Sequence, residues 1–149
     1  MADKQDDGDV LIVGYDGTAS AKRAVQHATS LIKSGGGRIH LVHVLEWSPY
    51  SFLTPEELSE RHKRREEELT RAKAIVQPVI DDLNAKGLNA DCEIRHGHAG
   101  ELLCELAEDM KARQIIIGRT GSTSIAARLM GSLALTLVQA SPVPVTVVP

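Results

Sequence analysis

Short apolar runs alternate along this chain with longer stretches whose apolar residues recur at helical spacing. That alternation constrains the fold more than any other feature. Residues 10–15 are apolar without interruption, as in a strand buried on both faces. Ala21, Ala24, Val25, Ala28, Leu31 and Ile32 then follow the i, i+3, i+4, i+7 pattern of an amphipathic helix over 19–33, with Thr18 or Ser20 as N-cap. A second strand at 39–45 leads through a loop at 47–54 into a long charged helix. This helix starts at Pro55, reaches about Lys86 and carries Pro78 as a point of bending. Residues 88–96 alternate, with Leu88, Ala90, Cys92 and Ile94 on one side and Asn89, Asp91, Glu93 and Arg95 on the other. Such a strand has one wet face and belongs near a sheet edge. A helix over 99–111, a strand over 114–118, a helix over 132–140 and a strand over 144–148 follow.

Five strands alternating with four helices specify a single α/β domain: an open, parallel, Rossmann-like sheet with helices on both faces. The two uninterrupted apolar runs, 10–15 and 115–118, belong at its centre and the alternating 88–96 strand at an edge. Strand order 3-2-1-4-5 satisfies both demands and places the first and fourth strands side by side. The winding reverses there, and open α/β sheets bind ligands beyond the carboxyl ends of the strands at that point. The first strand ends at Tyr15-Asp16-Gly17 and the fourth at Gly118.

Glycines cluster at the same point. The apolar strand 115–117 stops at Gly118, Gly121 follows, and Gly131-Ser132 opens the next helix, giving G-x2-G-x9-G-[ST]. Glycine lets main-chain N–H groups approach a phosphate closely, and a helix start adds a favourable partial positive charge. The chain has neither a G-x-x-x-x-G-K-[ST] loop nor a G-x-G-x-x-G turn opening a helix after a strand. Gly35-Gly36-Gly37 precedes a strand and reads as a helix C-terminus with its turn.

Composition narrows the function. The chain has 149 residues, 42% of them hydrophobic, and only one Trp, two Tyr and one Phe, so Val, Ile, Leu and Ala must build the core. A net charge of −3 argues against nonspecific nucleic-acid binding. The cluster His62-Lys63-Arg64-Arg65 runs straight into Glu66-Glu67-Glu68, and Glu60/Arg64 and Glu67/Arg71 sit one helical turn apart, which reads as a solvated helix face. Residues 129–149 carry no charge over about a membrane-spanning length, but Gly131, Ser132, Gln139, Ser141, Pro142 and Pro144 interrupt them, so a span is not expected. Residues 1–8 read as a disordered polar tail without a secretory signal, and Cys92 and Cys104 as reduced structural thiols. A cytoplasmic location follows as the expectation.

From 9 to 149 the chain resembles the universal stress protein family. The likeness is carried by the 118–132 glycine motif, Val13-Gly14-Tyr15-Asp16-Gly17-Thr18, Leu41-Val42-His43-Val44, Gly97-His98-Ala99 with Glu101-Leu102-Leu103, and Pro142-Val143-Pro144-Val145. It departs at Ala112-Arg113-Gln114 before the fourth strand and at Arg119-Thr120 in the loop, neither of which removes a backbone donor. The resemblance implies a fold of the adenine nucleotide alpha hydrolase-like type binding ATP with Mg²⁺, AMP or another adenine nucleotide being the alternative ligand. It puts Asp16 near the ribose or adenine, and Val44 donating and accepting through its backbone at the adenine edge. The nucleotide-contacting set it implies is Gly14, Tyr15, Asp16, Val44, Gly118, Arg119, Thr120, Gly121, Gly131, Ser132 and Leu133. It also implies a homodimer formed through the terminal strand, 143–148.

Residue chemistry alone leaves second readings in place. Asp16 suits a turn or helix cap as well as a sugar, Arg119 a solvated loop, and Ser132 a simple cap. His96-Gly97-His98 lacks a third ligand at metal spacing, His43 reads as a packed or hydrogen-bonded histidine, and Ser122, Thr123 and Ser124 lack a nucleophile elbow. With no evident general base, the expected role is regulatory nucleotide binding in stress response or signalling, not catalysis. A slow ATPase or phosphotransferase, and a dimeric adaptor without nucleotide, are the alternatives.

Overall fold

The computed structural model describes residues 9–46, 54–120 and 131–149. The expected tail at 1–8, the loop residues 47–53 and the segment 121–130, which holds Gly121, Ser122, Thr123 and Ser124, lie outside the described residues. The elements are β1 (Val10–Gly14), α1 (Ala19–Gly35), β2 (Arg38–Glu46), α2 (Pro55–Ala85), β3 (Ala90–Gly97), α3 (Ala99–Asp109), β4 (Gln114–Gly118), α4 (Ser132–Ala140) and β5 (Val145–Val148). They form one five-stranded parallel sheet in the order β3-β2-β1-β4-β5, as expected from the apolar patterning.

Two hydrophobic layers explain that order. Leu11 and Val13 of β1 face α1 and α2 together with Ile39, Leu41 and Ile116, whereas Val10 and Ile12 face α3 and α4 with Val42, Ile115 and Ile117. A strand with both faces buried must be central, and β1 and β4 are. β3 buries less: Cys92 and Ile94 pack partly beneath α2, while Asp91 and Arg95 are exposed. Its polar face still has partners, because His40 of β2 lies between Asp91 Oδ1 at 2.7 Å and Glu93 Oε1 at 3.0 Å, and Arg38 holds Asp91 Oδ2 at 3.1 Å.

Local boundaries follow cap chemistry. Thr18, rather than Ser20, caps α1: its side chain accepts from the Ala21 amide at 3.2 Å. Thr54 and Glu57 close a capping box at the start of α2, and that helix continues through Pro78 to Ala85. β3 begins at Ala90, two residues later than the alternation suggests, because Asn84 bonds both the amide and the carbonyl of Ala90 at 3.1 Å and ends the turn there. No helix among the described residues is long and apolar enough to cross a membrane.

Candidate functional site

β1 and β4 lie side by side, with Leu11, Ile12 and Val13 opposite Gln114, Ile115 and Ile116. The chain winds from β1 toward β2 and β3 on one side, and from β4 toward β5 on the other. A crevice is therefore bounded by the β1–α1 turn and by the segment leaving β4.

The first wall is Gly14, Tyr15 and Asp16. The Tyr15 amide donates to the Val42 carbonyl at 2.9 Å, and the Tyr15 carbonyl accepts from His43 Nδ1 at 2.6 Å. A carbonyl only accepts, so His43 carries its proton on Nδ1, and this buried histidine fixes the turn from below. Tyr15 itself is 5% exposed, and its phenol is pushed up by burial and then by the Asp16 carboxylate. Asp16 is exposed, and its Oδ1 accepts from the Thr18 amide at 3.0 Å and the Thr18 hydroxyl at 2.5 Å. The turn reading of Asp16 thus holds, and Oδ2 is left directed to no group among the described residues.

Val44 completes this wall through its backbone. In a strand, residues two apart present their amide and carbonyl to the same side. The Val42 carbonyl meets Tyr15, so Val44 turns its own N–H and C=O toward the space beyond the end of β1. A donor and an acceptor on one residue match the N1 and N6 edge of adenine.

The second wall starts at Gly118. A Cβ there would lie 2.5 Å from Ser20 Oγ and 2.7 Å from the Ser20 carbonyl carbon. Glycine is therefore demanded by the close approach of α1, a reason the motif did not reveal. Arg119 donates its amide to the Val148 carbonyl at 2.7 Å and accepts at its own carbonyl from the Gly131 amide at 2.9 Å. The Thr120 amide reaches Ser20 Oγ at 3.5 Å, and that hydroxyl donates to the Val148 carbonyl at 3.2 Å. The bond from Gly131 to Arg119 brings the start of α4 onto the end of β4, so the two halves of the glycine motif meet.

Gly131 is the N-cap of α4, with φ −66° and ψ 161° and no side-chain cap. The Leu135 amide closes the first helical bond, on Gly131, at 3.3 Å. The amides of Ser132, Leu133 and Ala134 precede any intrahelical acceptor and carry the positive end of the helix. Ser132 is exposed beside them.

His43 is hydrogen-bonded, as its sequence reading allowed, but its partner Tyr15 and the place of Ser20 between β5 and Thr120 were not foreseen. Ser20 is 3% exposed, and a small hydroxyl residue at the start of an alanine-rich face was its only signal. His96 and His98 do not converge: His98 stands at the N-cap position of α3 without a side-chain cap bond, its Nδ1 3.7 Å from Glu46, while His96 Nε2 is buried with no hydrogen-bond partner among the described residues. No group of three or more His, Cys, Asp or Glu among the described residues is arranged to hold a metal. A depression of about 320 Å³ is lined by Gly97, His98, Glu101, Leu102 and Glu105, and its carboxylates disfavour a phosphate there.

The model of the Universal stress protein family matches residues 9–149. The chain belongs to this family. Universal stress protein MJ0531 of Methanocaldococcus jannaschii is 27% identical over 143 residues, covering 93% of this chain and 80% of the relative. Universal stress protein UspA from Lactobacillus plantarum superposes with a TM-score of 0.84 at 19% identity, covering 95% of this chain and 98% of that one. A universal stress protein solved in complex with cAMP gives a TM-score of 0.69 at 23% identity over 95% and 97% of the two chains. One from Archaeoglobus fulgidus in complex with dAMP gives 0.65 at 17%, also over 95% and 97%. At these identities the solved structures show the shared fold.

Proposed function

We propose that this universal stress protein binds an adenine nucleotide in the crevice between the ends of β1 and β4, with ATP and Mg²⁺ as the ligand and regulation as the purpose. The observation that carries the reading is the Gly131–Arg119 bond, which sets the open first-turn amides of α4 against the end of β4. Phosphates suit those amides, the ribose suits the remaining oxygen of Asp16, and the adenine edge suits the Val44 backbone. Relatives of the same fold bind cAMP and dAMP, which supports an adenine base and at least one phosphate. Mg²⁺ would be held mainly by the phosphates, with the Ser132 hydroxyl within reach of its water shell. Asp16 is engaged by Thr18, and no described residue of the crevice is placed as a base, so turnover well below about 1 per second is expected.

Gly131→Asp tests the site. Gly131 has an extended backbone that any residue adopts, so the aspartate caps α4 without backbone strain and its carboxylate competes with phosphate for the same amides. Calorimetry should show at least tenfold weaker ATP binding with folding stability unchanged or slightly raised. Unchanged ATP affinity would refute the site. Parallel titration with AMP separates triphosphate from monophosphate recognition.

The same proposal includes a homodimer through β5. The Pro144 and Val148 carbonyls meet β4, so Val145 and Val147 direct their N–H and C=O groups outward, an open edge with no charged residue. A second copy, antiparallel about a twofold axis, covers it. Val147→Pro removes an outward donor and leaves the β4 ladder intact. Sedimentation should find a wild-type dimer and a monomeric variant, and a dimer that survives the proline would overturn this interface.

A further inference from the structure

Ser20 spends its hydroxyl outside its own helix. A serine near a helix start ordinarily caps that end or bonds a carbonyl of its own turn. Thr18 already caps α1, accepting from the Ala21 amide at 3.2 Å. Ser20 Oγ instead donates to the Val148 carbonyl at 3.2 Å and accepts from the Thr120 amide at 3.5 Å, 128 and 100 positions away. Ser20 is 3% exposed on a face otherwise built of Ala21, Ala24, Val25 and Ala28, where alanine favours the helix more. A buried hydroxyl kept there, opposite a glycine that makes room for it, has a role that packing does not explain.

That role lies in one peptide unit. A trans peptide is a rigid plane whose C=O and N–H point in opposite directions. In the unit joining Arg119 to Thr120, the carbonyl accepts from the Gly131 amide at 2.9 Å and the N–H donates to Ser20. α1 thus holds one side of the plane, and the N-cap residue of α4 is bonded to the other. The Thr120 amide has no other hydrogen-bond partner among the described residues, so Ser20 alone holds the plane from its side. Rotation of the plane would carry the Arg119 carbonyl off Gly131. It would release the start of α4, whose first-turn amides have no side-chain cap.

We propose that Ser20 is a positioning residue for the phosphate end of the crevice: through the 119–120 peptide it sets where the open amides of Ser132, Leu133 and Ala134 stand. This role rests on the nucleotide reading above. The Ser20 hydroxyl is buried and engaged on both sides, so it acts through the peptide and not on the ligand. The phosphates, which those amides bind, feel its loss. The nucleoside end, on Val44 and Asp16, does not, because the Tyr15–Val42, Tyr15–His43 and Asp16–Thr18 bonds that frame that wall are independent of Ser20.

Ser20→Ala and Ser20→Cys in the full chain separate bonding from packing. Alanine suits the helix but has no hydroxyl, and cysteine keeps the volume but bonds weakly. Titration calorimetry with ATP and with adenosine gives a ratio of affinities that reports the phosphate end alone. Both variants should lose at least about fivefold in ATP affinity, the size of one hydrogen bond's net contribution, with adenosine affinity within about twofold of wild type. Two affinities that fall together, an ATP affinity that does not fall, or a cysteine variant that binds ATP as wild type does would each overturn the role. Amide hydrogen exchange in the ligand-free protein tests the clamp without any nucleotide. The Gly131 amide should be protected in wild type and exchange at least about tenfold faster in both variants, and equal rates would overturn the inference. A wild type that binds neither ATP nor adenosine refutes the nucleotide reading and the phosphate role together, while the exchange difference at Gly131 judges the clamp by itself.

Discussion

Gly118→Ala should destabilise the fold whether or not any nucleotide is present. The added Cβ would meet Ser20 at three atoms: Oγ at 2.5 Å, the carbonyl carbon at 2.7 Å and Cβ at 2.8 Å. The hydroxyl can rotate away, but the backbone carbon moves only if α1 lifts from β4. Lifting α1 strains the layer of Ala21, Ala24 and Ala28, which are 3%, 0% and 0% exposed. Overpacking of this kind costs about 1–3 kcal/mol. The lower chain entropy of alanine offsets about 0.4–1 kcal/mol of that. At roughly 2–4 °C per kcal/mol for a domain of this size, Tm should fall by several degrees. Urea denaturation followed by circular dichroism reads the same loss as a lower midpoint at constant slope. Gly14→Ala is the control: its nearest neighbours are the side-chain ends of Ile117 at 3.0 Å and Leu103 at 3.4 Å, which can yield, so its cost should be smaller. Adding Ser20→Gly to Gly118→Ala removes two of the three contacts and should recover part of the loss. A Gly118→Ala protein as stable as wild type would refute the reasoning and return the glycine requirement to the ligand.

Thr18→Ala removes the α1 cap and the group that holds Asp16 Oδ1, and should cost about 1 kcal/mol of stability. Thr18→Ser keeps both bonds and should behave as wild type in the same urea titration. An alanine variant without loss would show that Asp16 and Thr18 do not organise the turn. The thiols of Cys92 and Cys104 are both raised, chiefly by burial, with Asp91 and Asp81 adding at Cys92. A raised folded-state pKa leaves stability intact below the ordinary thiol value of 9.0 and erodes it as pH rises above. Alkylation near neutral pH should accordingly be slower than for free cysteine, and a rate equal to it would contradict the burial.

The fold was legible because burial is written in local patterns. Residues 10–15 and 115–117 need apolar contacts on both sides, and no edge position provides them, so β1 and β4 are adjacent at the centre. Residues 88–96 advertise one wet face, and β3 is an edge. Boundaries were less legible, since they depend on bonds that patterns do not encode. Asn84, six residues away, decides where β3 begins, and Thr18 outcompetes Ser20 as cap because Ser20 faces inward.

The site divides along the same line. Gly118, Arg119 and Gly131 could be placed together from spacing plus the winding reversal, because a parallel crossover returns the chain to the same end of the sheet. What spacing could not reveal is why each glycine is there. Gly118 makes room for Ser20, a residue about a hundred positions away in sequence, whereas Gly131, at φ −66° and ψ 161°, has a backbone that any residue adopts. A motif glycine is thus an ambiguous signal: one marks packing against a helix, the other a helix end left without a side-chain cap. Ser20 joins the two roles, because its hydroxyl donates to Val148 of the edge strand and accepts from Thr120 at the crevice. β5 is thus hydrogen-bonded to the same residues that frame the crevice.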